Sequence, residues 1–137
     1  VTESLTGIDL VKWQIRVSAG IPLNFAQNDI DMKGSSIECR INALAPGKVA
    51  FLHVPGGPFV RFDTFLMTGV RVTPFYDALL GKLIVYAGTR EEALRKMKAA
   101  LCELVIDGVP NNIEEQIEII SSDKFMSGKY NLSFFAK

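Results

Sequence analysis

Ser36-Ile37-Glu38-Cys39-Arg40-Ile41-Asn42 is the stretch in which the apolar period becomes two. Ile37, Cys39 and Ile41 fall on one side, and Glu38, Arg40 and Asn42 on the other. Side chains alternate faces along a strand, so this is a half-buried strand displaying a polar row on its open face. Short apolar runs at 49–54, 59–62, 70–72 and 82–86 follow, separated by turn chemistry such as Pro46-Gly47 and Pro55-Gly56-Gly57-Pro58. Four to six short strands between turn signals predict an antiparallel sheet.

The flanks have helical spacing. Upstream, Leu5, Ile8, Val11 and Ile15 recur at steps of three or four, predicting one helix that stops at Gly20 and Pro22. Thr6-Gly7-Ile8-Asp9 has the form of a capping box, and residues 22–34 read as a connector with a short strand. Downstream, Thr89-Arg90-Glu91-Glu92 is a capping box, and Leu94, Met97, Leu101 and Leu104 continue a helix that ends at Asp107-Gly108. Asn112 is placed to cap a further helix whose face is Ile113, Ile117 and Ile120. An aromatic tail, Tyr130 to Phe135, is expected to dock on the body. The order predicts an α+β fold: an antiparallel sheet with an N-terminal helix and a C-terminal pair of helices.

Composition narrows the function. The 137 residues suit one domain, 1–137, with no repeat or interdomain linker. Fifteen basic residues balance fifteen acidic ones and the isoelectric point is near 6.8, so neither a nucleic-acid binder nor a polybasic membrane anchor is indicated. No apolar run reaches the ~20 residues of a membrane span, and the opening residues lack a signal peptide's pattern. Cys39 and Cys102 have no CxxC partner and read as reduced, buried thiols, which suggests a cytoplasmic protein. A single histidine, His53, leaves little material for a metal site or a catalytic triad.

Several features could carry chemistry. Pro55-Gly56-Gly57-Pro58 matches no phosphate-binding fingerprint and reads as a tight turn. His53 is a candidate base or ligand, or simply structural. Arg90, Arg95, Lys96 and Lys98 interleave with Glu91 and Glu92 as a solvated helix face, with pairs Glu91–Arg95 and Glu92–Lys96. On the polar strand face, Glu38 either orients Arg40, leaving its guanidinium fork free for an anion or carbonyl oxygen, or forms a plain solvated ion pair with it. Asp77 and Lys82 bracket an apolar stretch beside a proline-fixed turn, as binding groups or as a helix cap and a surface lysine.

Ordered motifs add a resemblance. Glu38-Cys39-Arg40-Ile41-Asn42-Ala43, Pro46-Gly47-Lys48, Pro55-Gly56-Gly57, Val60-Arg61 and Tyr76-Asp77-x-x-x-Gly81-Lys82-Leu83 occur in the order found in biotin carboxylases. Val1-Thr2-Glu3-x-x-Thr6-Gly7-Ile8-Asp9 is similar to the continuation of that family's Glu-His-Pro-Val-Thr-Glu motif, and Ile106-Asp107-Gly108-Val109 and Gly128-Lys129-Tyr130-Asn131 also resemble the family. The chain thus resembles the C-terminal domain of an ATP-grasp biotin carboxylase, most similar to the bacterial acetyl-CoA carboxylase component of fatty acid biosynthesis.

The resemblance implies a ligase that carboxylates carrier-bound biotin with bicarbonate and ATP. It implies that Arg40 stabilises the biotin enolate and that Asp77 lies near the biotin pocket as an orienter of Arg40. It also places Leu132 against adenine, and Arg61 at a homodimer contact beside Pro58 and Phe59. The implied cofactors are ATP and Mg (or Mn), held mainly by an ATP-grasp portion that precedes this chain in the family; the implied partners are a biotin carboxyl carrier protein, a second copy and a carboxyltransferase component. No paired carboxylates or phosphate cradle here replace that portion, so the isolated chain is expected to be inactive. Asn42-Ala43-Leu44-Ala45-Pro46 departs from the family, which usually continues Ala-Glu-Asp-Pro and a longer loop. The alternative reading is a non-catalytic dimerisation or carrier-docking module.

Overall fold

The computed structural model describes residues 1–131 and 133–135. In chain order the elements are α1 (Thr2–Thr6), α2 (Leu10–Ser18), a 3-10 turn (Gln27–Asp29), β1 (Ser35–Asn42), β2 (Gly47–Lys48), β3 (Phe51–His53), β4 (Val60–Thr64), β5 (Arg71–Val72), β6 (Leu79–Ala87), α3 (Arg90–Glu103), β7 (Val105–Asp107), α4 (Ile113–Ser121) and α5 (Asp123–Met126). The main sheet has the order β1-β6-β4, antiparallel throughout, and β2-β5 and β3-β7 form two small antiparallel pairs. This is the expected α+β arrangement.

The alternation read in β1 is the alternation observed. Ile37, Cys39 and Ile41 are buried and Arg40 is exposed. Strand β6 is the central strand, and its Leu80, Leu83, Ile84 and Val85 are all buried. Helix α3 lies across the inner face of β1 and β6, with Ala93, Met97, Ala100 and Leu101 meeting Ile37, Cys39, Leu83 and Val85 in one core. Full burial of each large aliphatic side chain there stabilises by about 1.5–3 kcal/mol. The capping box forms reciprocally: Thr89 N–H donates to Glu92 Oε2 and Glu92 N–H to Thr89 Oγ1, both at 3.2 Å. The tight turn expected at Pro55–Pro58 lies two residues later, at Gly57–Val60, closed by Val60 N–H on the Gly57 carbonyl at 3.2 Å.

Several expectations need correction. The N-terminal helix is two helices, because Gly7 takes φ +69° and closes α1. Asp9, not Thr6, caps α2, its Oδ1 accepting from Lys12 N–H at 2.9 Å. The rotation this break introduces leaves Val11 and Ile15 exposed, while Ile8, Leu10, Trp13, Val17, Leu23 and Phe25 line an apolar groove. The 22–34 connector carries a 3-10 turn and, among the described residues, no strand. Helix α3 ends at Glu103, and residues 105–107 leave it to pair with β3. Cys102 is exposed, one step round the helix from buried Leu101; only Cys39 is the buried thiol expected.

The long side chains of α3 also depart from the solvated-face reading. Arg95 pairs with Glu91 as expected. Lys96 instead reaches back to the sheet, its Nζ donating to the carbonyls of Tyr86 (2.9 Å) and Pro58 (3.1 Å), since Glu92 is already used in the cap. Arg90 donates to the Phe125 carbonyl at 2.7 Å and lies over the rings of Phe125 and Tyr130. Those rings stack at 5.1 Å, which docks the described part of the aromatic tail as the sequence suggests.

Candidate functional site

Antiparallel register fixes what stands beside Arg40. Arg40 pairs with Lys82 on β6, and Lys82 pairs with Asp63 on β4, so one row across the outer face runs cation, cation, carboxylate. The neighbouring row is Glu38, Ile84, Arg61. Arg61 turns to Asp63, its Nε and Nη2 donating to Oδ2 at 3.0 and 2.6 Å. That hydrogen bond, with the charges of Asp63, Glu3 and Glu38 adding to it, raises the Arg61 pKa from its ordinary value. Arg40 makes no side-chain hydrogen bond or ion pair among the described residues. The Glu38–Arg40 pair does not form among the described residues, and Asp63 engages Arg61 instead. An exposed guanidinium with its donor fork uncommitted remains at position 40.

The backbone beneath Arg40 is held on both edges. On one side β6 pairs with it, and a register shift between Ile41 and Asn42 bulges the ladder where Leu80 is passed over. On the other side lies Asn112, buried at 7% exposure and the one buried polar residue among the described residues. Its Oδ1 accepts from Asn42 N–H at 2.8 Å and its Nδ2 donates to the Arg40 carbonyl at 3.3 Å. Its own N–H donates to the Asn42 carbonyl at 3.2 Å. Asn112 precedes α4 but its side chain does not cap that helix; it is spent on β1. The flanking chain is tied down too, Ala43 N–H donating to Ala78 O and Leu44 N–H to Pro110 O, both at 2.8 Å.

Asp77 sits in the exposed turn before β6, its Oδ1 accepting from Leu79 N–H at 3.3 Å, so it shapes a turn rather than capping a helix. No hydrogen bond joins it to Arg40 among the described residues. The adjoining Phe75 and Tyr76 are 84% and 86% exposed, and Tyr76 shares a cleft of about 210 Å³ with residues 43–46. Lys82 is half-buried within β6. Pro58, Phe59 and Arg61 cluster at the opposite edge. Phe59 holds φ +61°, rare for a residue with a side chain, and its ring stands exposed under Lys96 Nζ at 5.2 Å and edge-on to Tyr86 at 5.5 Å. With Ser4, Arg61 and Ile84 it lines a cleft of about 360 Å³. Leu132 lies outside the described residues. His53 is in β3 and exposed, paired with Val105 of β7.

The sequence model of the family described as "Biotin carboxylase C-terminal domain" matches residues 38–137. This chain belongs to that family. The biotin carboxylase of Haemophilus influenzae is 46% identical over 144 aligned positions, covering 100% of this chain and 32% of the relative. The chloroplastic biotin carboxylase of Arabidopsis thaliana is 43% identical over 145 positions, covering 100% of this chain and 27% of the relative. Among solved structures, the biotin carboxylase domain dimer of Hydrogenobacter thermophilus 2-oxoglutarate carboxylase, in complex with MgADP, ADP and bicarbonate, has a TM-score of 0.94 at 40% identity, covering 98% of this chain and 32% of that one. The chain spans about a third of the length of the curated relatives it matches.

On the outer face of this biotin carboxylase domain the Arg40 guanidinium stands uncommitted, beside half-buried Lys82 and the Arg61–Asp63 pair. Among the described residues no three His, Cys, Asp or Glu side chains converge to hold a metal ion. No helix among the described residues is long and apolar enough to cross a membrane. Sequence reasoning misses the role of Asn112. Its position before an apolar helical run signals a cap, and only the fold reveals that β1 lies 70 residues upstream within reach of its amide.

Proposed function

We propose that this biotin carboxylase domain, residues 1–137 acting as one unit, supplies one wall of an active site that carboxylates carrier-bound biotin with bicarbonate and ATP. The observation that carries this reading is Arg40: an exposed, uncommitted guanidinium on a backbone held from both edges, in a chain of this family. The ureido nitrogen of biotin is a poor nucleophile until its proton leaves and negative charge moves to the ureido oxygen. A fixed guanidinium aimed at that oxygen stabilises the charge as it develops, as the donors of an oxyanion hole do. Arginine suits the task because it stays charged at any working pH and its planar fork pre-orients two N–H groups. Asp77, on the turn leading into the strand opposite Arg40, borders the same pocket.

ATP, the divalent ion (Mg or Mn) and the base that takes the biotin proton belong, in this proposal, to an ATP-grasp portion outside this chain, with Leu132 contributing apolar contact to the adenine. The isolated chain is then inactive. The carboxyl carrier protein delivers biotin, and a carboxyltransferase component receives the product in a cytoplasmic acetyl-CoA carboxylase-type assembly. At the other edge of the sheet, the exposed Phe59 with Pro58 and Arg61 supports a homodimer contact; the Hydrogenobacter thermophilus neighbour is a dimer. The test is complementation. This chain mixed with the ATP-grasp portion of the Haemophilus influenzae relative is expected to restore biotin-dependent ATP hydrolysis, and Arg40→Ala to abolish the gain. A folded, associated pair with no restored activity would count against the reading. Self-association or carrier binding untouched by Arg40→Ala, without any catalytic gain, would instead favour a docking or dimerisation module.

A further inference from the structure

We infer that Asn112 is a positioning residue for Arg40, acting through the backbone of β1; the inference rests on the proposed role of Arg40. Strand β1 is an edge strand of the main sheet, so one side of its backbone has no strand partner there. At Arg40 to Asn42 that open side is filled by a side-chain amide. Its N–H₂ meets the carbonyl of Arg40 and its oxygen takes the N–H of Asn42, flanking Ile41 as a peptide group of a parallel neighbour strand would. The Asn112 backbone N–H adds a third bond, to the Asn42 carbonyl.

This clamp lies where the opposite edge is weakest, at the register shift between Ile41 and Asn42. Without the amide, the open edge beside Arg40 would be unfilled, and the end of β1 would rest on an irregular ladder and the backbone bonds at 42–44. The other features of Asn112 point the same way. It is buried, so its amide cannot fall back on water. It forgoes the capping bond to α4 that its position offers, although such caps stabilise helices. Adjacent Asn111 secures the loop, its Nδ2 donating to the carbonyls of Val109 (2.9 Å) and Ile106 (3.3 Å) and its Oδ1 accepting from Ile113 N–H (3.2 Å). The loop is thereby stiffened on both sides of the residue that grips β1. An arginine that must meet a developing charge within a few tenths of an ångström gains its accuracy from such a clamp, since a misplacement of about 1 Å can cost a hundredfold in rate.

The experiment is a double-mutant cycle on this chain reconstituted with the ATP-grasp portion of the Haemophilus influenzae relative, assayed by carboxylation of free biotin. Asn112→Ala is expected to lower kcat about 10- to 100-fold with the KM for ATP within twofold of its starting value. In an Arg40→Lys background, whose flexible ammonium has lost the fork the clamp aims, the same substitution is expected to cost less than threefold. Equal losses in both backgrounds overturn the inference and make Asn112 merely structural. An unchanged kcat in Asn112→Ala also overturns it. Arg40→Lys and Arg40→Ala at full activity overturn the reading of Arg40 itself, a separate outcome. If Asn112→Ala does not melt cooperatively, Asn112→Asp goes through the same cycle, since it keeps the acceptor for Asn42 and removes the donor to Arg40. If neither variant folds, Asn112 is a folding residue and the inference fails.

Discussion

Replacing Gly108 by alanine tests the loop that carries Asn112, and the structure sets the size of the effect. Gly108 follows β7 at φ +84°, a region that costs an L-residue roughly 1–2 kcal/mol. A stiffer unfolded chain offsets only about 0.5 kcal/mol of that. A Cβ here would also overlap the Lys48 carbonyl and press on Ala50 N. Relief requires residues 48–50 to move away from 107–108. That stretches the 2.9 Å bond from Ala50 N–H to Asp107 O, worth about 1 kcal/mol, and lifts fully buried Val49 from its seat for about 1 kcal/mol more. The sum is about 3 kcal/mol. Urea unfolding of the chain followed by circular dichroism, with a slope of roughly 1.5 kcal/mol per molar, should then show the midpoint falling by about 2 M. A midpoint within about 0.3 M of wild type, at unchanged slope, would refute the argument that this glycine is required by a close backbone approach.

Burial pushes the Cys39 thiol up to about 12, with the charge of Glu38 adding to the shift. Because the folded state holds this proton more tightly than the unfolded chain, the contribution is intact below an ordinary value of 9.0 and is lost as pH rises toward 12, at up to about 1.4 kcal/mol per pH unit. Unfolding free energies of wild type and Cys39→Ala should therefore converge between pH 9 and 11; parallel curves would contradict the assignment. Iodoacetamide at pH 8 should label Cys102 and spare Cys39 in the folded chain, as peptide mass spectrometry reads directly. The Arg61–Asp63 pair is largely exposed, so Arg61→Ala should change stability by less than about 1 kcal/mol. If that edge is the dimer contact, the same substitution in the reconstituted enzyme should lower the dimer fraction in sedimentation.

How much of the molecule is legible in its sequence depends on how local the signal is. The two-residue period of β1 and the Thr89–Glu92 capping box are complete within a few residues, and both stand in the fold as read. The break at Gly7 is not visible because the apolar spacing of three and four continues through it; a single left-handed residue rotates the helix without disturbing the count. Strand β7 reads as the end of a helix because its partner, β3, lies more than 50 residues upstream and Val105-Ile106-Asp107 is too short to show a period. At the site, Arg40 is legible from its place on the polar face and from the motif around it. Its surroundings are not: although Arg61 and Asp63 are near neighbours on β4, cross-strand register sets their strand beside the row of Arg40, and a buried amide from another part of the chain clamps the backbone. Each of these depends on pairings that a one-dimensional pattern does not encode.

The central claim is that Arg40 acts on the reacting biotin and not on the fold. Its side chain is exposed and holds no partner among the described residues, so Arg40→Ala should leave the melting temperature of the chain within a few degrees of wild type. The most direct measurement is kcat for free-biotin carboxylation by the chain joined with the ATP-grasp portion of the Haemophilus influenzae relative. A loss of about 100-fold or more is expected for Arg40→Ala at an unchanged KM for ATP. A wild-type rate in that variant would contradict the claim.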